Sequence, residues 1–160
     1  MTTQPVPGSA RRAATTWEAL FRAQVTLMRR FQADDVWVEL SIREYDVLFT
    51  LSRAEDGRMR LRDLNENVLL AQSSLSRMVE RLEGRGLVTR APAPDDARGT
   101  LVGLTDAGSR LQRQVGRRHV RAMGQYVGRA LDDDEQAELV RLLTKLRAAQ
   151  AGIPDWTPHD

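Results

Sequence analysis

Between residues 72 and 98 the chain gathers side chains whose chemistry is recognition: Gln72, Ser73, Ser74, Ser76 and Arg77 in one cluster, then Arg90, Asp96 and Arg98. Short hydroxyls and an amide approach a polar surface closely. A guanidinium presents two donors at once to a base edge or a phosphate. Reactive residue types are scarce elsewhere. There is no cysteine, which excludes a disulfide framework, a thiolate zinc site, a thiol nucleophile and a cysteine redox switch. The two histidines, His119 and His159, leave little for histidine-rich catalysis or metal binding. Asp132, Asp133 and Asp134 look like a calcium box, but lack its alternate spacing and turn glycine. They read better as acidic residues favoured at a helix N-terminus. With no Gly-rich phosphate loop and no nucleophile motif, neither an enzyme nor a cofactor is expected.

The elements that position these residues are few. At 160 residues, 41% hydrophobic and 29% charged, the chain suits one globular domain. Of 24 basic residues only Lys145 is lysine, and 22 acidic residues leave a net charge of +2. The sequence pI of 9.6 mostly reflects the lack of groups titrating between His and Tyr. That balance alone does not announce a nucleic-acid binder. Segment by segment it is uneven: +4 over residues 1–33, −5 over 34–57, +3 over 58–90, −1 over 91–104, +5 over 105–130 and −4 over 131–160. The basic footprint therefore falls on the segment that carries Gln72 to Arg90 and on two flanking stretches. The near-absence of lysine has no functional account.

The first 14 residues are polar, with Pro5, Pro7 and Gly8, and lack the apolar core of a signal peptide. No apolar run approaches the roughly 20 residues of a membrane helix. A cytoplasmic protein with no membrane partner is expected, with flexible tails at 1–14 and 151–160 around a single domain at 15–150. Trp17, Leu20, Phe21, Gln24, Leu27, Met28 and Phe31 predict a helix near 15–33. Ser41 and Glu44 form a capping box for a second helix, with Tyr45, Leu48 and Phe49 inward. Glu55-Asp56-Gly57 then turns the chain. Short and longer helices follow near 61–67 and 72–84, the latter ended by Gly84 and Gly86. Two strand-like runs, 87–90 and 100–104, flank a loop rich in Pro, Asp and Gly. A long helix near 106–130 and a last one capped by Asp132, with Leu139, Leu142, Leu143 and Leu146 as its stripe, complete the chain.

Short helix, turn, second helix and β-hairpin is the order of a winged helix-turn-helix. In that motif the second helix enters the major groove of DNA and the hairpin loop reaches the minor groove. Helix 72–84 alone leaves the question open, because an ordinary amphipathic helix with a Ser-rich start accounts for it equally. The hairpin decides. Residues 96–108 fit D-x-R-x-x-x-V-x-L-T-x-x-G, through Asp96, Arg98, Val102, Leu104, Thr105 and Gly108. This resembles the wing signature of the multiple-antibiotic-resistance-regulator (MarR) family of transcription factors. Residues 75–88, with Arg81-Leu82-Glu83 and Gly86-Leu87-Val88, are similar to that family's recognition helix and its exit. Helix order matches over roughly residues 15–148. Two features depart from the pattern: Val68-Leu69-Leu70 stands where many relatives have a glycine turn, and Asn65 where a small alanine is usual. Ala71 replaces a frequent N-cap Ser, so Ser73 or Ser74 is expected to begin the helix.

The resemblance implies a mainly α fold with a small β-hairpin wing, a winged helix-turn-helix at about 41–105 and dimerisation helices at about 15–33 and 106–150. It implies a homodimer that binds a palindromic operator in double-stranded DNA, probing bases with Gln72, Ser73, Ser74, Ser76 and Arg77. Arg98 would enter the minor groove from the wing tip, with Asp96 orienting it or a neighbouring arginine. Arg90 would contact phosphate at the wing base, and Arg58, Arg60 and Arg62 either do the same or are simply exposed. Leu20, Phe21, Leu139, Leu143 and Leu146 are the expected dimer contacts, the alternative being an intrachain core. A repressor of its own or neighbouring genes is expected, relieved by a small aromatic or phenolic effector. Met28, Phe31, Trp37, Tyr45 and His119 are candidates for the effector pocket or, equally, for ordinary core. The competing reading is a winged-helix module that binds protein or RNA and has no operator.

Overall fold

A computed structural model describes residues 7–68, 70–94 and 96–153; the side chains of Pro7 and of residues 96–98 lie outside that description. Among the described residues the α-helices and strands follow in the order α1 (Pro7–Gln32), α2 (Ile42–Arg53), β1 (Arg58–Arg60), α3 (Leu61–Asn67), α4 (Gln72–Gly84), β2 (Val88–Ala93), β3 (Asp96–Leu104), α5 (Asp106–Tyr126) and α6 (Asp133–Ala149). The chain divides into two compact units, Met1–Val120 and Arg121–Asp160. The first holds the winged helix-turn-helix. Three antiparallel strands form its sheet in the order β1-β3-β2.

The core of this unit is a cluster contributed by α2, α3, α4, the sheet and α5. Val47, Leu48, Leu51, Leu64, Leu75, Val79, Leu82, Val102 and Val115 are completely shielded from solvent. Burying each such side chain stabilises the fold by roughly 1.5–3 kcal/mol. In α2 the inward residues are Tyr45, Val47, Leu48 and Leu51, while Phe49, expected inward, is 44% exposed. At 100° per residue, Phe49 falls outside the arc that contains Tyr45, Leu48 and Leu51. The Ser41 box is present as expected: Glu44 N–H donates to Ser41 Oγ at 3.2 Å, and Ser41 N–H donates to Glu44 Oε2 at 2.9 Å.

Other boundaries move. α1 begins at Pro7, well inside the segment expected to be a flexible tail. Pro suits a first helical turn, and Ala10, Ala13 and Ala14 are strong helix formers, so this stretch needs no apolar stripe to be helical. The strands are longer than their apolar runs, and β1 carried no sequence signal, since three residues are too few for alternation to register. It exists because β3 offers a free edge: Arg58, Met59 and Arg60 pair with Gly103, Val102 and Leu101. α5 stops at Tyr126, four residues before its expected end. In the second unit, Asp132 caps α6, accepting from Glu135 N–H at 2.9 Å. The expected loose segment from Gly152 onward lies, from Pro154, outside the described residues.

Candidate nucleic-acid interface

α4 follows α3 after a turn in which Leu70 N–H donates to the Val68 carbonyl at 3.0 Å, and Asn65 Nδ2 donates to Leu70 O at 3.5 Å. Asn65 thus ties the turn that glycine would otherwise shape. The helix starts at Gln72 with Ala71 as an N-cap that has no side-chain hydrogen bond, rather than at Ser73 or Ser74. Ser74 and Leu75 both donate to the Ala71 carbonyl, at 2.9 and 3.0 Å. Burial of Leu75, Met78, Val79 and Leu82 fixes this register, and it outweighs the roughly 1 kcal/mol that a serine cap contributes. As a result the serines are free of capping duty.

With the apolar stripe inward, Gln72, Ser73, Ser74 and Arg77 are exposed and Ser76 is half-buried. These are the expected base-probing residues, and the helix brings them to one solvent face. The C-terminus closes by a Schellman motif: Leu87 N–H donates to Leu82 O at 2.9 Å and Gly86 N–H to Glu83 O at 2.8 Å. Gly86 holds φ at +70°, which a residue with a Cβ rarely adopts.

From that turn the chain enters β2, which pairs with β3 from Val88↔Leu104 to Pro92↔Thr100, with a shift of register after Pro92. This hairpin is the wing. Asp96 and Arg98 lie on the β3 backbone close to its tip, and their side chains are outside the described residues. Behind the wing, Thr105 Oγ donates to Gly86 O at 2.8 Å and accepts from Gly108 N–H at 3.0 Å. Thr105 N–H donates to Leu87 O at 3.2 Å. The L-T-x-x-G part of the signature is therefore a joint that seats α5 on the start of β2.

Arg90 is not a free cation. Its Nε donates to Glu83 Oε2 at 2.7 Å and its Nη1 to Glu80 Oε1 at 3.2 Å. Its backbone N–H donates to Glu83 Oε1 at 3.0 Å. The Glu83 hydrogen bond is the main reason that the guanidinium is held above its ordinary pKa. Two of the guanidinium's donors, on the arginine expected to contact phosphate, are thus engaged by carboxylates of α4. Glu80 and Glu83 were not singled out from sequence, although their spacing of three puts them on one helix face. Arg62 is likewise paired, with Asp63 at 3.1 Å, and Arg58 is exposed.

The effector candidates come together in part. His119 on α5 lies 4.8 Å from Phe31, 5.0 Å from Trp37 and 5.6 Å from Tyr45, measured between ring centroids. These separations are those of packed aromatic rings. Trp37 Nε1 donates to the Phe31 carbonyl, and Gln112 Nε2 donates to Tyr45 Oη at 3.4 Å. Phe31, Tyr45 and His119 are buried, whereas Met28 is half-buried and shares none of these ring contacts. His119 Nδ1 is buried without a hydrogen-bond partner. Burial pushes the His119 pKa below its ordinary value, opposed by the charge of Asp34. Burial also raises the Tyr45 hydroxyl, against the Gln112 hydrogen bond.

The expected dimer residues are exposed or half-exposed within the single chain. On α1, Phe21 is 47% exposed and stacks at 6.0 Å on Trp17, itself 65% exposed, with Leu20 half-buried beside them. In the second unit Leu139, Leu143 and Leu146 are all exposed. Leu131, Leu139 and Leu142 line an open groove with Asp134, Glu135 and Glu138. No described helix is long and apolar enough to cross a membrane, and the described residues hold no cluster of three or more potential metal ligands.

Residues 40–100, from the end of the loop before α2 to the wing, match the model of the MarR family. The multiple antibiotic resistance protein MarR of Salmonella typhimurium is 30% identical over 109 residues, covering 68% of this chain and 74% of that protein. Among solved structures, Sco3205 of Streptomyces coelicolor, a MarR family transcriptional regulator crystallised in complex with DNA, superposes with a TM-score of 0.71 at 24% identity, covering 92% of this chain and 91% of its own. At that identity the likeness is one of fold. The PcaV transcriptional regulator of the same organism, solved in complex with its natural ligand, gives a TM-score of 0.61 at 28% identity, over 93% of this chain and 99% of its own. These relatives are regulators rather than enzymes. With its wing joint, its recognition helix and this relationship together, the chain belongs to the MarR family of transcriptional regulators.

Proposed function

We propose that the chain is a dimeric, sequence-specific DNA-binding repressor of its own or neighbouring genes, released by a small aromatic or phenolic ligand. The observation that carries the DNA reading is α4: Gln72, Ser73, Ser74 and Arg77 face solvent while the stripe behind them is fully used by the core. Such a face offers hydroxyl, amide and guanidinium groups to base edges in a major groove, which is wide enough to admit an α-helix. Sco3205, of the same fold, was crystallised in complex with DNA, which supports the DNA reading. In this reading α4 enters the major groove and Arg98 of the wing the adjacent minor groove.

Dimerisation is supported by the exposed Trp17 and Phe21 on α1 and by the exposed leucines of α6, which water would otherwise solvate at a cost. A two-fold dimer reads two half-sites, so the operator is a palindrome. For the ligand, PcaV with its natural ligand is the precedent, and the cluster of Phe31, Trp37, Tyr45 and His119 is the proposed site. His119 Nδ1 is the polar atom that a bound phenol or carboxylate engages there. A ligand that prefers one arrangement of these rings shifts the population of DNA-competent dimers.

Footprinting on the intergenic DNA upstream of the gene tests the reading. A symmetric protected site, lost steeply with rising salt as arginines cease to displace counterions, is the expected result. Absence of protection at any salt overturns it and leaves a protein- or RNA-binding module.

A further inference from the structure

The wing must hold a fixed angle to α4 if the two are to enter neighbouring grooves of one duplex. The hairpin meets the helix along β2, which is an edge strand of the sheet. Alternation along β2 determines which side chains meet the helix. Val88 is buried, so Arg90, two residues on, projects from the same face and stands opposite Val102 in the ladder. On α4, Glu80 and Glu83 are one turn apart. Arg90 is bridged by both through its side chain and is held by Glu83 through its backbone as well. Glu83 therefore accepts from two different donors of one wing residue, and this fixes both the position of the strand and the direction of its arginine.

We propose that the Arg90–Glu83–Glu80 group is a clasp that sets the angle of the wing to the recognition helix, making Arg90 and Glu83 positioning residues for DNA binding. The proposal rests on the DNA reading above. It assigns these charges a role opposite to a phosphate contact. A phosphate-binding arginine gains when a nearby carboxylate is neutralised, whereas a clasp fails when either half is lost. An isolated exposed ion pair contributes little to stability, so the clasp acts mainly on geometry and only weakly on folding.

The test uses the full chain and a duplex that the wild type selects from a randomised pool. Arg90→Gln, Glu83→Gln and the double variant are compared for affinity across a salt series, for hydroxyl-radical footprint and for thermal unfolding. The clasp predicts that each single variant binds about tenfold more weakly and that the double variant is no worse than either. The slope of log affinity against log salt stays unchanged, because no phosphate contact is removed. Footprint protection is lost under the wing and kept under α4. Arg90→Lys, which keeps one donor to Glu83, recovers part of the affinity. A shallower salt slope for Arg90→Gln, with Glu83→Gln binding as well as or better than wild type, overturns the clasp in favour of a phosphate contact. Additive losses, no loss, or a lowered unfolding temperature with an unchanged footprint also overturn it. Failure of the wild type to enrich any duplex is a separate result, and it overturns the DNA reading itself.

Discussion

Gly108 lies so close to the Leu87 carbonyl that a Cβ added there would stand 2.0 Å from the oxygen and 3.0 Å from Leu104 Cδ1. The first turn of α5 is thus pressed against the start of β2, in a space that only a hydrogen atom fills. Gly108→Ala must lift α5 or bend the strand, and overpacking of this kind costs about 3 kcal/mol. Chemical denaturation should show the loss. An unchanged midpoint would mean that α5 is not seated on β2 in solution.

Ser41 caps α2 reciprocally with Glu44, and Glu44 also meets Arg85 at 3.3 Å. Ser41→Ala removes the accepting oxygen and should destabilise the first unit by about 1 kcal/mol, while Ser41→Asp should leave it within a few tenths. Thermal melts of the two variants make the comparison.

His119 ties folding to pH. Burial lowers its pKa in the folded chain relative to the ordinary value of 6.5. Below pH 6.5 the unfolded chain therefore binds a proton that the folded chain resists, and stability falls as pH drops towards the folded pKa. Above 6.5 neither state is charged and this contribution to stability is complete. His119→Phe should flatten the slope of stability against pH in that window. A slope equal to that of wild type would assign the effect to carboxylates instead.

The two arginines proposed to read DNA should fail in different ways. Arg77→Ala, on the exposed face of α4, should relax base preference at one position by about 1–3 kcal/mol. Arg98→Ala should weaken binding to all A·T-rich operators, since a narrow minor groove is read by its potential. Binding measured on a panel of single-base operator variants separates the two patterns.

Phe21→Asp places a charge on an exposed surface of α1, so the first unit should fold normally. If that surface is the dimer face, sedimentation equilibrium should show a shift to monomer, and operator affinity should fall with it. Leu143→Glu should do the same from α6. A dimer that persists in both variants would move the interface elsewhere.

Apart from β1, the types and order of the helices and of the hairpin strands were readable before any coordinate, because each rests on local physics. Ser41-x-x-Glu44 and Asp132-x-x-Glu135 start helices by satisfying their own backbone, and the stripes of α4 and α2 follow from helical period. The wing signature marked the family and its winged-helix segment even though a net charge of +2 gave no sign of either. What tertiary structure alone decided is which cations are already engaged and which edges pair. Arg90 reads in sequence as one more basic residue, and only the packing of β2 on α4 delivers it to Glu83 and Glu80, across sequence separations of seven and ten. β1 exists because β3 has an edge to offer, and the aromatic cluster around His119 draws rings from α1, the following loop, α2 and α5. Periodicity reports which face of an element is buried. It carries no information about the partner that buries it, and in this protein that partner is what brings Arg90 to two carboxylates.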